Sequence, residues 1–308
     1  MTPDRFGVAP SGDQFEIAFE SQRAVIVEVG GGIRTYSVGG NDILDGYGVE
    51  ERCPSGRGQI LIPWPNRIQD GSYEFDGQHH QLPLTEPTLG NAIHGLSRWE
   101  AWRAAERDPS RVVMEHTIHA QPGYPFTLAL RVDYSLADDG LSVSTTATNI
   151  GADTCPYGAG AHPYLTLGTP TVDRLVLQAP GRRVLVHDER DLPVGSEPVD
   201  GTEFDFREAR PIGTTILDNA FTDLERGPDG RARVTLHDPE AGRTVTLSVD
   251  EHYGYLMLFT GDPLPDVNRR ALAVEPMTCP PNAFRTGDSV VRLAPGDSAA
   301  GVWTIAAR

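Results

Sequence analysis

Residues 128–147 read LALRVDYSLADDGLSVSTTA, two runs of alternating apolar residues joined by a polar turn. Leu128, Leu130, Val132, Tyr134 and Leu136 recur at every second position, Ala137-Asp138-Asp139-Gly140 reverses the chain, and Leu141, Val143, Thr145 and Ala147 resume the period. A period of two sets alternate side chains on one face of a pleated strand, so the stretch predicts a β-hairpin with a single buried face. Residues 233–237 and 244–250 repeat the arrangement around Asp238-Pro239-Glu240-Ala241-Gly242. Shorter strands are predicted at 15–19, 24–29, 175–177, 184–186, 255–260, 271–275, 290–293 and 302–305. No window of a dozen residues carries a 3.6-residue apolar stripe, while 33 glycines and 25 prolines punctuate the chain at strand-like spacing. The fold class is therefore all-β, mostly antiparallel. With no linker or composition break, residues 1–308 read as one large sandwich rather than two domains.

The formal charge of −17 argues against a nucleic-acid or anionic-membrane surface, since the long-range field repels phosphates. All 26 basic residues are arginine. Without lysine the chain has no Schiff-base amine and no Walker phosphate loop. Cys53, Cys155 and Cys279 are odd in number and widely spaced, which suggests neither a disulfide framework nor a Cys-x-x-Cys metal site. The polar start, Met1-Thr2-Pro3-Asp4-Arg5, has no signal-like apolar run, and no later segment is apolar for long enough to span a bilayer. The expectation is a cytoplasmic protein, a monomer or homodimer, with no membrane or nucleic-acid partner.

Gly158-Ala159-Gly160-Ala161-His162-Pro163-Tyr164 sets a histidine among residues too small to cover it, and predicts a displayed acid/base. The candidate partner is Glu275 in Ala273-Val274-Glu275-Pro276, an apolar run where the proline is expected to end the ladder. Burial there would raise the carboxyl toward neutrality and make it a usable base. In Pro63-Trp64-Pro65-Asn66-Arg67 two prolines impose a rigid loop; Arg67 could fork onto ligand hydroxyls or pair with an acid such as Asp70. His94 sits near Trp99 and Trp102, which serve either as a sugar platform or as core. Asp218, before Asn219 and Phe221, either orders a turn or accepts from a ligand. Gly30-Gly31-Gly32 lacks the third spaced glycine and the helix of a dinucleotide site, and is a strand-end turn. Residues 188–211 are charged and proline-bearing, a surface excursion. Nine histidines invite a metal reading, but His116 with His119 and His79 with His80 point to opposite strand faces, so no local spacing supports a metal.

Five segments in order, PWPNRIQDGSYEFDG (63–77), NAIHGLSRWEAW (91–102), GAGAHPYLTLG (158–168), LDNAF (217–221) and VEPMTCPPNAF (274–284), resemble the aldose 1-epimerase (galactose mutarotase) family over nearly the whole chain. The resemblance implies the family's large antiparallel β-sandwich, the galactose mutarotase-like supersandwich, with a sugar cleft on one sheet and no cofactor. By it, Glu275 matches the general base, His162 the general acid, and His94 a second histidine near the ring oxygen. Arg67 and Asp218 match residues that hold sugar hydroxyls, and Asn66 and Trp99 join them as substrate contacts. The reaction implied is ring opening and reclosure of a free aldohexose. The His-Pro-Tyr-Leu motif departs from the Asn-His-Thr-Tyr-Phe of the better-known galactose mutarotases and looks like a bacterial branch that includes enzymes for other sugars, sulfoquinovose among them. Two alternatives stand beside the neutral-hexose enzyme. One is epimerisation of an anionic sugar, a sulfonate or hexose phosphate, with Arg67 or Arg98 as the cationic site. The other is a carbohydrate-binding protein without catalysis.

Overall fold

The computed structural model describes residues 7–308; the N-terminal residues Met1 to Arg5 that bear on targeting lie outside them. Strand Leu128–Ala137 pairs antiparallel with Gly140–Asn149, from Leu128 opposite Asn149 to Ala137 opposite Gly140. The predicted face, Leu128 to Leu136 at every second residue, is buried, and Ala129, Arg131, Asp133 and Ser135 face outward. Each fully buried leucine or valine of that face contributes about 1.5–3 kcal/mol relative to exposure.

This hairpin lies in a nine-stranded antiparallel sheet ordered Arg103–Asp108, Arg111–Ile118, Leu128–Ala137, Gly140–Asn149, Ser298–Ala307, Arg243–Val249, Ala232–Asp238, Val176–Gln178, Arg210–Pro211. An eight-stranded sheet runs Pro193–Pro198, Gly181–His187, Asp218–Leu224, Tyr255–Phe259, Leu272–Met277, Gly160–Ala161, Ile60–Leu61, with Tyr164–Leu165 also paired to Leu272–Met277. Leu130, Val132 and Tyr134 of the first sheet and Leu256, Leu258, Leu272 and Val274 of the second belong to one contiguous core. That is the face-to-face sandwich the alternation demands. A smaller four-stranded sheet, Gln14–Phe19 to Asn41–Asp42, adds Ile17, Ala24, Ile26 and Tyr36 to the same core. Among the described residues the sole helix is Ala283–Thr286, and no helix is long and apolar enough to cross a membrane.

Three expectations are corrected. The strand predicted at 302–305 is the middle of Ser298–Ala307, whose small residues, Ala299 to Gly301, hide its start. Residues 188–211 are not wholly an excursion, because Pro193–Pro198 adds an edge strand to Gly181–His187, with prolines at both ends where an edge tolerates them. Pro276 does not end its ladder. It removes one donor, but Glu275 opposite Met257 and Met277 opposite Tyr255 carry the pairing through it.

Candidate active site

The strand Leu272–Met277 is buried on both faces. Leu272 and Val274 point into the core, while Ala273, Glu275 and Met277 share the other face. Register then builds the site. Met257 is opposite Glu275, and Asp218 is opposite Phe259, which is opposite Ala273. Asp218, Phe259, Met257 and Glu275 consequently sit on one face of three adjacent strands. Two apolar patches flank the carboxyl, one of Tyr164, Val267 and Ala273, the other of Ala220, Met257 and Met277.

His162 joins this face from the link between Gly160–Ala161 and Tyr164–Leu165, its backbone fixed by His162 N donating to Gln59 O (3.0 Å) and Gly58 N donating to His162 O (2.9 Å). Its Nε2 lies 3.3 Å from Glu275 Oε1. The displayed histidine expected from its small neighbours is corrected, for His162 is only 5% exposed. The glycines serve strand packing instead: a Cβ at Gly158 would meet Cys279 Sγ at 2.4 Å and one at Gly160 would meet Pro65 Cβ at 2.8 Å. A distant glycine gives the imidazole its room. Gly56, at φ +74°, would place a Cβ 2.9 Å from His162 Cδ2. Tyr164 stacks on the ring at 4.9 Å, and His94 meets it edge-on at 5.5 Å.

Asn66 and His94, both at positive φ, lock together: His94 N donates to Asn66 O (2.9 Å), and Asn66 N donates to His94 Nδ1 (3.2 Å). Nδ1 is thus an acceptor, and a neutral His94 carries its proton on Nε2, which leaves that N–H as a donor. Arg67 does not present a free fork. Its guanidinium is bidentate on Glu86 (2.9 Å) and 3.2 Å from Asp191, so the partner is not Asp70. Asn91 Nδ2 donates to the same Glu86 (2.9 Å), and Arg190 ties the 188–192 segment to Leu89 O (2.9 Å). Asn282 N donates to Arg67 O (2.6 Å) and Asn282 Oδ1 accepts from Gln69 N (3.0 Å), which couples the Pro-Asn motif after Glu275 to the arginine strand.

Glu275, His162, His94, Asn66, Arg67, Asp218 and Trp99 all line one cavity of about 410 Å3, within the usual range of small-molecule sites. Trp99 is 46% exposed at its rim, whereas Trp102 is buried with Nε1 donating to Ser97 O (3.1 Å), so the platform-or-core alternative divides between the two. Glu86, Asp191, Phe259 and Cys53 also line it and were not singled out by any motif. A larger hollow of about 540 Å3 on the outer face of the nine-stranded sheet holds Arg103, Glu115 and Arg131, already paired with one another, and no buried acid/base. Among the described residues no group of three or more His, Cys, Asp or Glu is arranged to hold a metal.

Burial dominates the electrostatics. It pushes the Glu275 carboxyl well above its ordinary value, with the nearby Asp218 charge adding and Arg67 opposing. It lowers His162 to about 3, and lowers His94 well below its ordinary value with His162 and Arg98 assisting. Asp218 is raised to about 6 by burial, against the pull of Arg67. Burial thus favours the uncharged form of both members of the central pair, a carboxyl beside an imidazole. Glu275 Oε2 and His162 Nδ1 are buried with no hydrogen-bond partner. Each such orphan costs about 1–3 kcal/mol, which a fold retains where a ligand is to complete it.

The aldose 1-epimerase family model matches residues 13–305, and the chain belongs to that family, a family of isomerases. An uncharacterised Escherichia coli K12 protein, YihR, is 36% identical over 287 residues, covering 93% of this chain and 90% of the relative. A maltose epimerase of Levilactobacillus brevis is 28% identical over 72% of this chain and 71% of its own length. Among solved structures, the GalM/aldose epimerase homologue from C. elegans superposes with a TM-score of 0.85 at 19% identity, over 96% of this chain and 98% of that one. Galactose 1-epimerase from Lactobacillus acidophilus gives 0.78 at 20% identity, over 95% and 93%. These neighbours share the fold, the galactose mutarotase-like sandwich.

Proposed function

We propose that the protein is an aldose 1-epimerase that interconverts the α and β anomers of a free aldohexose. The observation that carries the reading is the Glu275–His162 contact of 3.3 Å on the cavity floor, with one polar atom of each group left without a partner. Opening a hemiacetal ring needs one proton removed from O1 and one delivered to the ring oxygen. The pair holds the right number. A carboxyl beside a neutral imidazole differs from a carboxylate beside an imidazolium only by a transfer across the contact, so no exchange with solvent is required. Glu275 as carboxylate then takes the O1 proton while His162 protonates the ring oxygen; the C1–O5 bond breaks, the C1–C2 bond rotates, and the same groups reverse their roles on the other face. His94 Nε2–H donates toward the ring oxygen, and Asp218 accepts from sugar hydroxyls. Arg67 acts mainly by fixing Glu86 and Asp191, which offer further acceptors.

The test is the relaxation of freshly dissolved α-anomers of glucose and galactose, followed by polarimetry or one-dimensional NMR in weak buffer. Relaxation faster than the buffer rate, saturable in sugar, is expected. Binding of sugar by folded protein without acceleration would replace the enzyme with a carbohydrate-binding protein.

A further inference from the structure

A histidine that moves protons ordinarily uses one ring nitrogen for the reaction and has the other fixed by a hydrogen bond, which sets both orientation and tautomer. His162 lacks that second hold. Its Nδ1 is buried without a partner, and among the described residues the one polar contact of Nε2 is with Glu275 at 3.3 Å. A sugar that takes its proton from this ring has to come between the two groups. What remains to orient the imidazole is packing. Tyr164 lies nearly parallel to it, with ring centres 4.9 Å apart and planes 17° apart, while His94 meets it only edge-on.

Tyr164 is itself fixed at three points. Its O–H donates to Ser55 O (2.9 Å), its carbonyl accepts from Asp45 N (2.9 Å), and the Arg57 guanidinium lies over its ring at 5.2 Å. Arg57 is 4% exposed and engaged at every nitrogen. Nε and Nη2 donate to Asp45 Oδ2 (3.1 and 2.9 Å), Nη1 to Asp266 Oδ2 (3.0 Å) and Nη2 to Asp266 O (3.0 Å). Ser55 Oγ donates to the same Asp266 carboxylate (2.8 Å). A buried ion pair adds little stability over an apolar filling of the same space. What the planar fork adds is direction, because it can point only where both carboxylates allow. Asp45 holds the guanidinium by its side chain and Tyr164 by its backbone, so the two aromatic partners move as one unit with the arginine.

We propose that Tyr164 is a positioning residue for His162, and that Arg57, clamped by Asp45 and Asp266, holds Tyr164 in place. This rests on the epimerase reading above. The stack does for His162 what a hydrogen bond to Nδ1 would otherwise do: the ring keeps its plane while Nε2 exchanges Glu275 for the sugar. Tyr164 borders the cavity but is 1% exposed, so it offers a sugar almost no surface, and its effect falls on kcat rather than on KM.

The experiment measures kcat and KM for anomer exchange in Tyr164→Leu, Arg57→Lys and the double variant, on whichever of glucose and galactose the wild type turns over. Leucine removes the flat face. Lysine keeps the charge, whose field bears on His162, and removes the fork. Tyr164→Leu is expected to lower kcat by about ten- to a hundredfold with KM little changed, the scale of a displaced catalytic group. Arg57→Lys is expected to lower kcat less, and to add nothing in the double variant, because it acts through the same ring. Wild-type kcat in folded Tyr164→Leu, or a loss carried by KM, overturns the proposal; losses that multiply in the double variant overturn the part given to Arg57. If either single variant does not fold, Asp266→Asn, which loosens the same clamp at a side chain 47% exposed, is read in its place, and an unchanged kcat there is the overturning result. Ring order is also read without turnover, by NMR of protein carrying isotope-labelled histidine, with His162 assigned by the loss of its signal in His162→Gln. A sharp single signal in the wild type, broadened or divided in Tyr164→Leu, is expected. No difference between the two overturns the proposal whatever the activity, whereas the expected line shapes with no acceleration of any sugar overturn the epimerase reading alone.

Discussion

Replacing Glu275 with Gln preserves the volume of a side chain that is 2% exposed and removes its ability to carry charge. Two effects follow from one cause. For the reaction, loss of a positioned base lowers kcat by about a hundred- to ten-thousandfold. For the fold, the sign runs the other way. The folded carboxyl is held well above its ordinary 4.5 by burial, whereas in the unfolded chain it ionises near that value. Above pH 4.5 the folded state therefore binds more protons at this position than the unfolded state, and wild-type stability falls as pH rises, until the folded group itself ionises. The slope is at most about 1.4 kcal/mol per pH unit. Glutamine has no such term. The variant should match the wild type at pH 4 to 5, become the more stable protein by pH 8, and be nearly inactive at both. Urea unfolding at pH 5 and 8 beside polarimetric rates checks this. A wild type as stable as the variant at pH 8, or more so, would mean that Glu275 is ionised and compensated in the folded protein, and the neutral-pair argument would fail. Undiminished turnover would remove Glu275 from the chemistry.

Asp218, raised to about 6, is the stronger acceptor for sugar hydroxyls when ionised, so kcat/KM should drop as pH falls through about 6; Asp218→Asn should lower kcat/KM and abolish that limb, and a limb that survives would belong to another group. Gly56→Ala forces a Cβ to 2.9 Å from His162 Cδ2 at a positive φ, and is expected to cost about 1 kcal/mol or more in stability and to depress kcat by moving the imidazole; wild-type rates would show that the ring has slack. Trp99→Ala, at a rim position 46% exposed, should shift unfolding by no more than about 0.5 kcal/mol while raising KM. Trp102→Ala should instead destabilise by about 3–5 kcal/mol, and similar unfolding midpoints for the two variants would contradict the division between rim and core.

The hairpin at 128–147 was legible to the residue because one face is buried and the other wet, so side-chain period and register are the same information. Ser298–Ala307 was only half legible for the converse reason: Ala299 to Gly301 are too small to declare a face, and only Trp303 and Ile305 mark it. The Glu275 strand was found but misjudged at Pro276, since the ladder is decided by neighbours 18 to 22 residues away in sequence, Met257 to Tyr255, not by the proline.

The site divides along the same line. Residue types in motifs, His162, Glu275, His94 and Asp218, were readable because each needs a particular local backbone or strand position. What each charge is free to do was not, because that depends on which other charges arrive. Glu86 reaches Arg67 across 19 residues and Asp191 comes from the segment read as an excursion, so the arginine expected to hold sugar is already held. Arg98 meets no such partner among the described residues and lies against Trp99 instead. In an acidic chain the informative cation is the one that folding leaves unneutralised.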